Sequence, residues 1–327
     1  MKTAPSARSA GIDAVRVLGI GAVIFGHTFT GHLTHEFIYA WHVPVFFFLT
    51  GYLWKRGRTV GDEFVKRGRT LGLPYIGWFV VVSLLVAVDM ARSGAVDLSF
   101  LGPSGYGGLS ARGAFGTFWF VSTLFFAALL YRMIERLPRA VVWIVAIAGL
   151  AAGYLFGGWL ASTPLAIGSA LPCLIFLAVG TAAREVEPRI PRKPLVGLAL
   201  IVLPLVVIAL VQPEPIDIKQ GLYGAPAVGV LFACAISFGL VLVAQAIPYP
   251  RVLGGLVTEL AVVGIAVVLF HPYVLAYSRA HGLPAVGMFL AAVIVPWVVA
   301  LLLHRTPLSA LLIGFPRRAF RRVLDRV

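Results

Sequence analysis

The sequence predicts an all-α integral membrane protein of about ten transmembrane helices with both termini cytoplasmic. Three observations carry this expectation: an excess of apolar residues, their grouping into runs of helical length, and basic residues collected between those runs. Of 327 residues, 60% are apolar and only 12% charged, with a mean hydropathy of +0.94. A soluble domain carries about 45–50% apolar and about 25% charged residues. A water-soluble globule, a disordered tail and a secreted disulfide scaffold are therefore excluded. Each crossing takes about 20 mostly apolar residues, so the chain has room for roughly ten. It reads as a single polytopic domain over 1–327 with no additional soluble domain.

The apolar segments run at about 11–30, 38–54, 71–90, 115–131, 140–158, 164–183, 195–212, 225–247, 254–277 and 285–303. None alternates apolar and polar positions as a barrel strand would, so each is read as a helix. The gaps carry Gly, Pro and charge, as in Gly102-Pro103-Ser104-Gly105 and Gln212-Pro213-Glu214-Pro215. Lys2 and Arg8 precede the first run as in a signal peptide. Arg16 interrupts that run and no small-x-small cleavage site follows, so a retained span is expected. Cys173 and Cys234 fall inside apolar segments and act as small hydrophobes. Neither a disulfide nor a metal site is expected.

The formal charge of +14 is explained by topology rather than by a nucleic-acid partner. With a cytoplasmic N-terminus, one side collects Lys2, Arg8, the Lys55–Arg69 cluster, Arg132, Arg136 and Arg139. The same side takes Arg184, Arg189, Arg192, Lys193, Arg251 and the basic residues from Arg305 to Arg326. Only Arg92, Arg112, Lys219 and Arg279 fall on the other. This is the positive-inside bias of a multi-pass protein of the cell membrane.

Chemistry is sought among polar groups in or beside the bilayer, where they are expensive to keep. Arg16 and His27 stand eleven positions apart in the first span. Eleven steps of about 100° return a helix to within roughly 20° of its starting face, about 16 Å further along. The pair therefore shares one stripe. Either both are functional, or Arg16 snorkels to inner headgroups and His27 is wetted at the outer interface. Asp13 lies three residues before Arg16, a spacing that favours their pairing. Asp13 and Glu36 are the acids available to orient His27. The second span reads Trp41-His42-Val43-Pro44-Val45-Phe46-Phe47-Phe48-Leu49-Thr50-Gly51-Tyr52 and runs straight into Lys55-Arg56-Gly57-Arg58. Lys66-Arg67-Gly68-Arg69 then leads to Leu73-Pro74-Tyr75. A short basic loop between two spans is a plausible phosphate anchor, since Arg and Lys are the usual phosphate partners.

At these residues the chain resembles the acyltransferase-3 family of membrane acyltransferases, and is most similar to its sugar O-acetylases. The resemblance rests on Arg16 and His27, on the His42-to-Tyr52 stretch, and on the basic loop entering Leu73-Pro74-Tyr75. It continues through Phe118-Trp119-Phe120-Val121-Ser122 and Leu269-Phe270-His271-Pro272. It implies acyl transfer, usually acetyl, from cytoplasmic acyl-CoA to a hydroxyl of a sugar, glycan or glycolipid. It also implies that Arg16 and His27 are the functional pair, and that acyl-CoA is a co-substrate rather than a resident cofactor. Lys66 stands where the family has the first of two arginines, and Arg69 matches the second. Lys66, Arg67, Arg69 and Arg16 are thus the expected donor-binding residues. Histidine has the ordinary pKa nearest neutrality and suits a general base.

Three further polar residues carry secondary readings. His42 can approach His27 across the hairpin or simply sit at the interface. Glu259 is an intramembrane acid or marks the end of the ninth span. His271-Pro272 is a kink with a functional His or a helix end. His32 and His35 are expected in the outer hairpin, and the Gly-rich loop from Arg92 to Ala114 is a flexible segment or an acceptor cover. The alternative function is a polytopic transporter or flippase for a glycan or lipid. Two related halves with matching broken helices would favour it, and none is found.

Overall fold

The computed structural model describes residues 10–94 and 96–317. Lys2 and Arg8, and the basic residues from Arg318 onward, lie outside the described residues. The order begins with α1 (Ala10–Thr28), α2 (His32–Phe37), α3 (Pro44–Tyr52), α4 (Val60–Arg67) and α5 (Leu73–Arg92). It continues with α6 (Leu101–Tyr106), α7 (Phe118–Ile134), α8 (Arg139–Ser162), α9 (Ala170–Val186) and α10 (Lys193–Val211). A two-residue antiparallel ladder, β1 (Ile216–Asp217) with β2 (Leu222–Tyr223), follows. The chain then forms α11 (Val228–Ala246), α12 (Arg251–Val262), α13 (Gly264–Ala280), α14 (Ala285–Leu303) and α15 (Ser309–Leu312).

Among the described residues, eight helices are long and apolar enough to cross a membrane, or nine with α12 and α13 taken as one bent span. The sequence predicts ten, and the difference is the 38–54 segment. That stretch is regular helix only over Pro44–Tyr52. Pro44 has no N–H to donate and so opens a helix at its first position, while residues 38–43 form successive turns. Nine residues rise only about 14 Å, less than half of a hydrocarbon core of about 30 Å. The expected ninth span is broken by 63° between Val262 and Gly264.

The basic Lys55–Arg69 segment is not simply a loop. Thr59 caps α4: its hydroxyl accepts the Asp62 N–H at 3.0 Å, and the Asp62 carboxylate takes the Thr59 N–H at 3.2 Å. This capping box starts the helix well before the apolar run. A π turn over Gly68–Gly72 joins α4 to α5. The Gly-rich segment after Arg92 likewise contains a helix, α6.

The interior is built from α1, α3, α7, α9 and α13, with Phe47, Phe48, Phe118, Phe176 and Leu177 fully buried. Helices α3 and α9 cross in backbone contact. A Cβ at Gly51 would overlap the Leu177 carbonyl, and one at Gly180 would overlap that of Phe48. Small residues permit such close approach in membrane bundles. Helices α8, α10 and α14 turn large apolar side chains outward, such as Leu155, Trp159, Leu210 and Val298, as lipid contact requires. Cys173 and Cys234 are both buried free thiols.

Candidate active site

Two cavities lie one above the other between α1, α3 and α13. The larger, about 320 Å³, is basic. Arg16, Lys55, Arg58, Lys66, Arg67 and Arg132 line it, against the single carboxylate of Glu63. That carboxylate is fully buried and collects Arg67 at 2.8 Å, Arg132 at 2.8 Å, Arg58 at 3.6 Å and Lys66 at 3.7 Å. One negative charge therefore holds four cations together and leaves the cavity with a surplus of positive charge. Arg132 also binds Glu135 and lies over the Trp54 ring at 4.1 Å. Such a cluster suits a polyanion such as the phosphates of a nucleotide-linked donor.

Arg16 reaches this cavity while held by Asp13 at 2.7 Å, the pairing that the three-residue spacing predicts. Lys66 and Arg67 line it too. Arg69, expected with them, does not: it is exposed on the π turn and outside the cavity lining. Arg132, which sequence reasoning used only for topology, replaces it. A hint was available, because Arg132 stands inside an apolar helix three residues before an acid. Glu63 was hidden as one of two adjacent acids, with Asp62, within a basic run.

The smaller cavity, about 30 Å³, surrounds His27 with Val23, Val43, Phe46, Thr117, Trp119, Phe120 and Val268. Phe46 lines both cavities and separates them. Its ring packs on α1 at Gly19, where a Cβ would lie 2.9 Å from the ring edge. Gly19 sits between Arg16 and His27, one turn past Arg16, so the plug stands between them on the Arg16 side.

His27 Nδ1 lies 3.0 Å from His271 Nε2, with the two rings stacked at 5.2 Å. His271 Nδ1 lies 3.0 Å from the Val267 carbonyl, which can only accept. In the neutral ring the His271 hydrogen is therefore on Nδ1, and its Nε2 accepts. His27 must donate from Nδ1, and its own Nε2 keeps the lone pair. Of the two candidate acids, neither Asp13 nor Glu36 orients His27. Asp13 holds Arg16, and buried Glu36 lies 3.3 Å from His32.

His271 is not at a helix end, since α13 runs on through Pro272. Proline cannot supply the N–H that would satisfy the Val268 carbonyl four residues back. The Thr117 hydroxyl does so instead, at 2.7 Å. This bond ties the start of α7 to the turn that carries His271. Thr117 is held in place through its own loop, where the Lys219 ammonium donates to the Ala111 and Gly116 carbonyls at 2.9 and 3.0 Å. Burial pushes that lysine below its usual range.

His42 is buried and its Nδ1 donates to the Ile38 carbonyl at 2.9 Å. It does not line the small cavity. Glu259 is half-buried on α12 and lines neither cavity. His32 is exposed, and His35 stacks on Tyr39 at 4.3 Å.

A family model described as an acyltransferase domain matches residues 9–305. No curated protein and no solved structure matches the chain. The match takes in Arg16, His27, the basic cluster and His271 in one continuous domain, and the chain belongs to the acyltransferase-3 family.

Proposed function

We propose that the protein is a multi-pass O-acyltransferase of the cell membrane. It moves an acyl group, acetyl in the simplest case, from acyl-CoA to a hydroxyl of a sugar, glycan or glycolipid. The observation that carries this reading is the hydrogen bond from His27 Nδ1 to His271 Nε2. It leaves His27 Nε2 as a free base in a small apolar cavity. The basic cavity takes the CoA phosphates, with Arg16, Lys66, Arg67 and Arg132 as the main partners. This puts the basic side of the bundle, and both termini, in the cytoplasm.

The acceptor hydroxyl gives its proton to His27 Nε2 as its oxygen attacks the thioester carbonyl. The C–S bond breaks, and the departing thiolate takes the proton back from the imidazolium. His271 accepts from Nδ1 throughout, fixing the tautomer and steadying the cation, as the third member of a triad does. Purified protein in nanodiscs, given acetyl-CoA and envelope glycans, should release thiol and add one acetyl mass to the glycan. Wild-type protein that does neither would overturn the reading.

A further inference from the structure

A third cavity, about 540 Å³, opens at the opposite end of α5 and α13 from the basic cluster. Its volume falls within the roughly 300–1,000 Å³ of small-ligand sites. One wall is a stripe of rings on α13. Tyr273, Tyr277 and His281 recur every four residues, and so share a face. Their centroids are 6.2 Å and 4.0 Å apart, the second pair stacked. The other wall is the last turn of α5. Asp89 accepts the Tyr273 hydroxyl at 2.8 Å, and Arg92 lies 3.9 Å from the same carboxylate. Ser93 completes that rim.

We propose that this cleft is the carbohydrate-binding subsite for the acceptor. The inference rests on the acyltransferase reading for its place in the reaction, but not for the binding itself. A pyranose presents one face of C–H groups and an edge of hydroxyls. The C–H face packs on aromatic rings, whose faces are electron-rich. The hydroxyl edge needs acceptors and donors side by side, which Asp89, held by Tyr273, and the exposed Arg92 supply. An interfacial anchoring tyrosine would turn its hydroxyl to water or headgroups. Tyr273 instead spends its hydroxyl on Asp89 across the gap between two helices, which fixes the ring as a wall of the cleft. Arg92 beside Asp89 adds a positive charge to the rim, which disfavours a quaternary ammonium ligand. The cleft adjoins the turn of α13 that carries His271 but opens on another face of the helix, since Tyr273 lies two residues on; Ala114 on the cleft wall precedes Thr117 by three residues.

The test uses full-length protein in phosphatidylcholine–phosphatidylglycerol nanodiscs and saturation-transfer NMR with methyl hexopyranosides. The expected result is transfer to the ring protons of at least one pyranoside, falling at least fivefold in Tyr277→Ala and in Asp89→Asn. Trp159→Ala removes an exposed ring on α8 outside the cleft and should keep the full signal. In the acetyl-transfer assay, Tyr277→Ala should raise KM for the same pyranoside and leave that for acetyl-CoA unchanged. Competition by a dodecyl glycoside placed in the discs separates a lipid-anchored sugar from a free one. Absence of transfer to every pyranoside, or equal signals in wild type and Tyr277→Ala, overturns the site. So does a preference for choline. If the signals behave as expected but no acyl group moves from acetyl-CoA, the site stands and the proposed activity fails.

Discussion

His271 acts on His27 as an acceptor only, because the Val267 carbonyl claims its other ring nitrogen at 3.0 Å. Two histidines 244 residues apart thus form a directional pair with one free lone pair, on His27 Nε2.

That direction predicts unequal effects of substitution. His27→Ala should lower transfer by about 10²–10⁴, the usual worth of a general base. His271→Ala leaves a base in place but frees its tautomer, and should cost less. Side-by-side kcat measurements check the order. If His271→Ala lost all activity while His27→Ala kept most of it, the base would be His271.

The donor cavity predicts a contrast among neighbouring cations. Arg67→Glu or Arg16→Glu should raise KM for acyl-CoA or abolish turnover, since both side chains line the basic cavity. Arg69→Glu should change acyl-CoA kinetics little, because Arg69 is exposed outside that lining. Equal effects at Arg67 and Arg69 would move the phosphate site.

Glu63 predicts a stability effect. Its carboxylate is buried among Arg58, Lys66, Arg67 and Arg132. Removing one partner of a buried ion cluster costs about 3–5 kcal/mol. Glu63→Ala should lower the unfolding temperature in detergent well below that of Asp62→Ala, since Asp62 is exposed. Calorimetry or nanoscale fluorimetry in one detergent checks this.

Phe46 predicts a change in acyl-chain length. The cavity at His27 holds about 30 Å³, and Phe46 closes it from the donor side. Phe46→Ala should accept propionyl- and butyryl-CoA relative to acetyl-CoA better than wild type does. Gly19→Ala should press on the ring and lower kcat several-fold with little change in KM for acyl-CoA. An unchanged chain-length profile in Phe46→Ala would remove the ring from the acyl path.

Much of this site was legible because helices repeat. The eleven-residue spacing put Arg16 and His27 on one stripe before any fold was known, and Asp13 pairs with Arg16 as its spacing requires. The His27–His271 contact was not legible, since no local periodicity relates α1 to α13. Arg69 parts from Lys66 and Arg67 at the π turn over Gly68–Gly72, where it is exposed, and a three-residue spacing read as regular helix does not register that turn. The 38–54 segment looked like a full span because hydropathy averages over a window and does not register where Pro44 forces a helix to begin. The start of α4 was missed for the opposite reason: its charges hid a helix that the Thr59 capping box specifies.

The bare crossing of α3 and α9 sets what can move. With Gly51 seated against Leu177 and Gly180 against Phe48, neither helix can slide or roll without driving peptide groups into each other. Phe46 rides on α3 and inherits that immobility at its Cα. In the proposed cycle it clears the passage only by turning about its own side-chain bonds. The backbone walls on either side, seated against each other, then serve as a reference frame for the reacting groups while the ring turns.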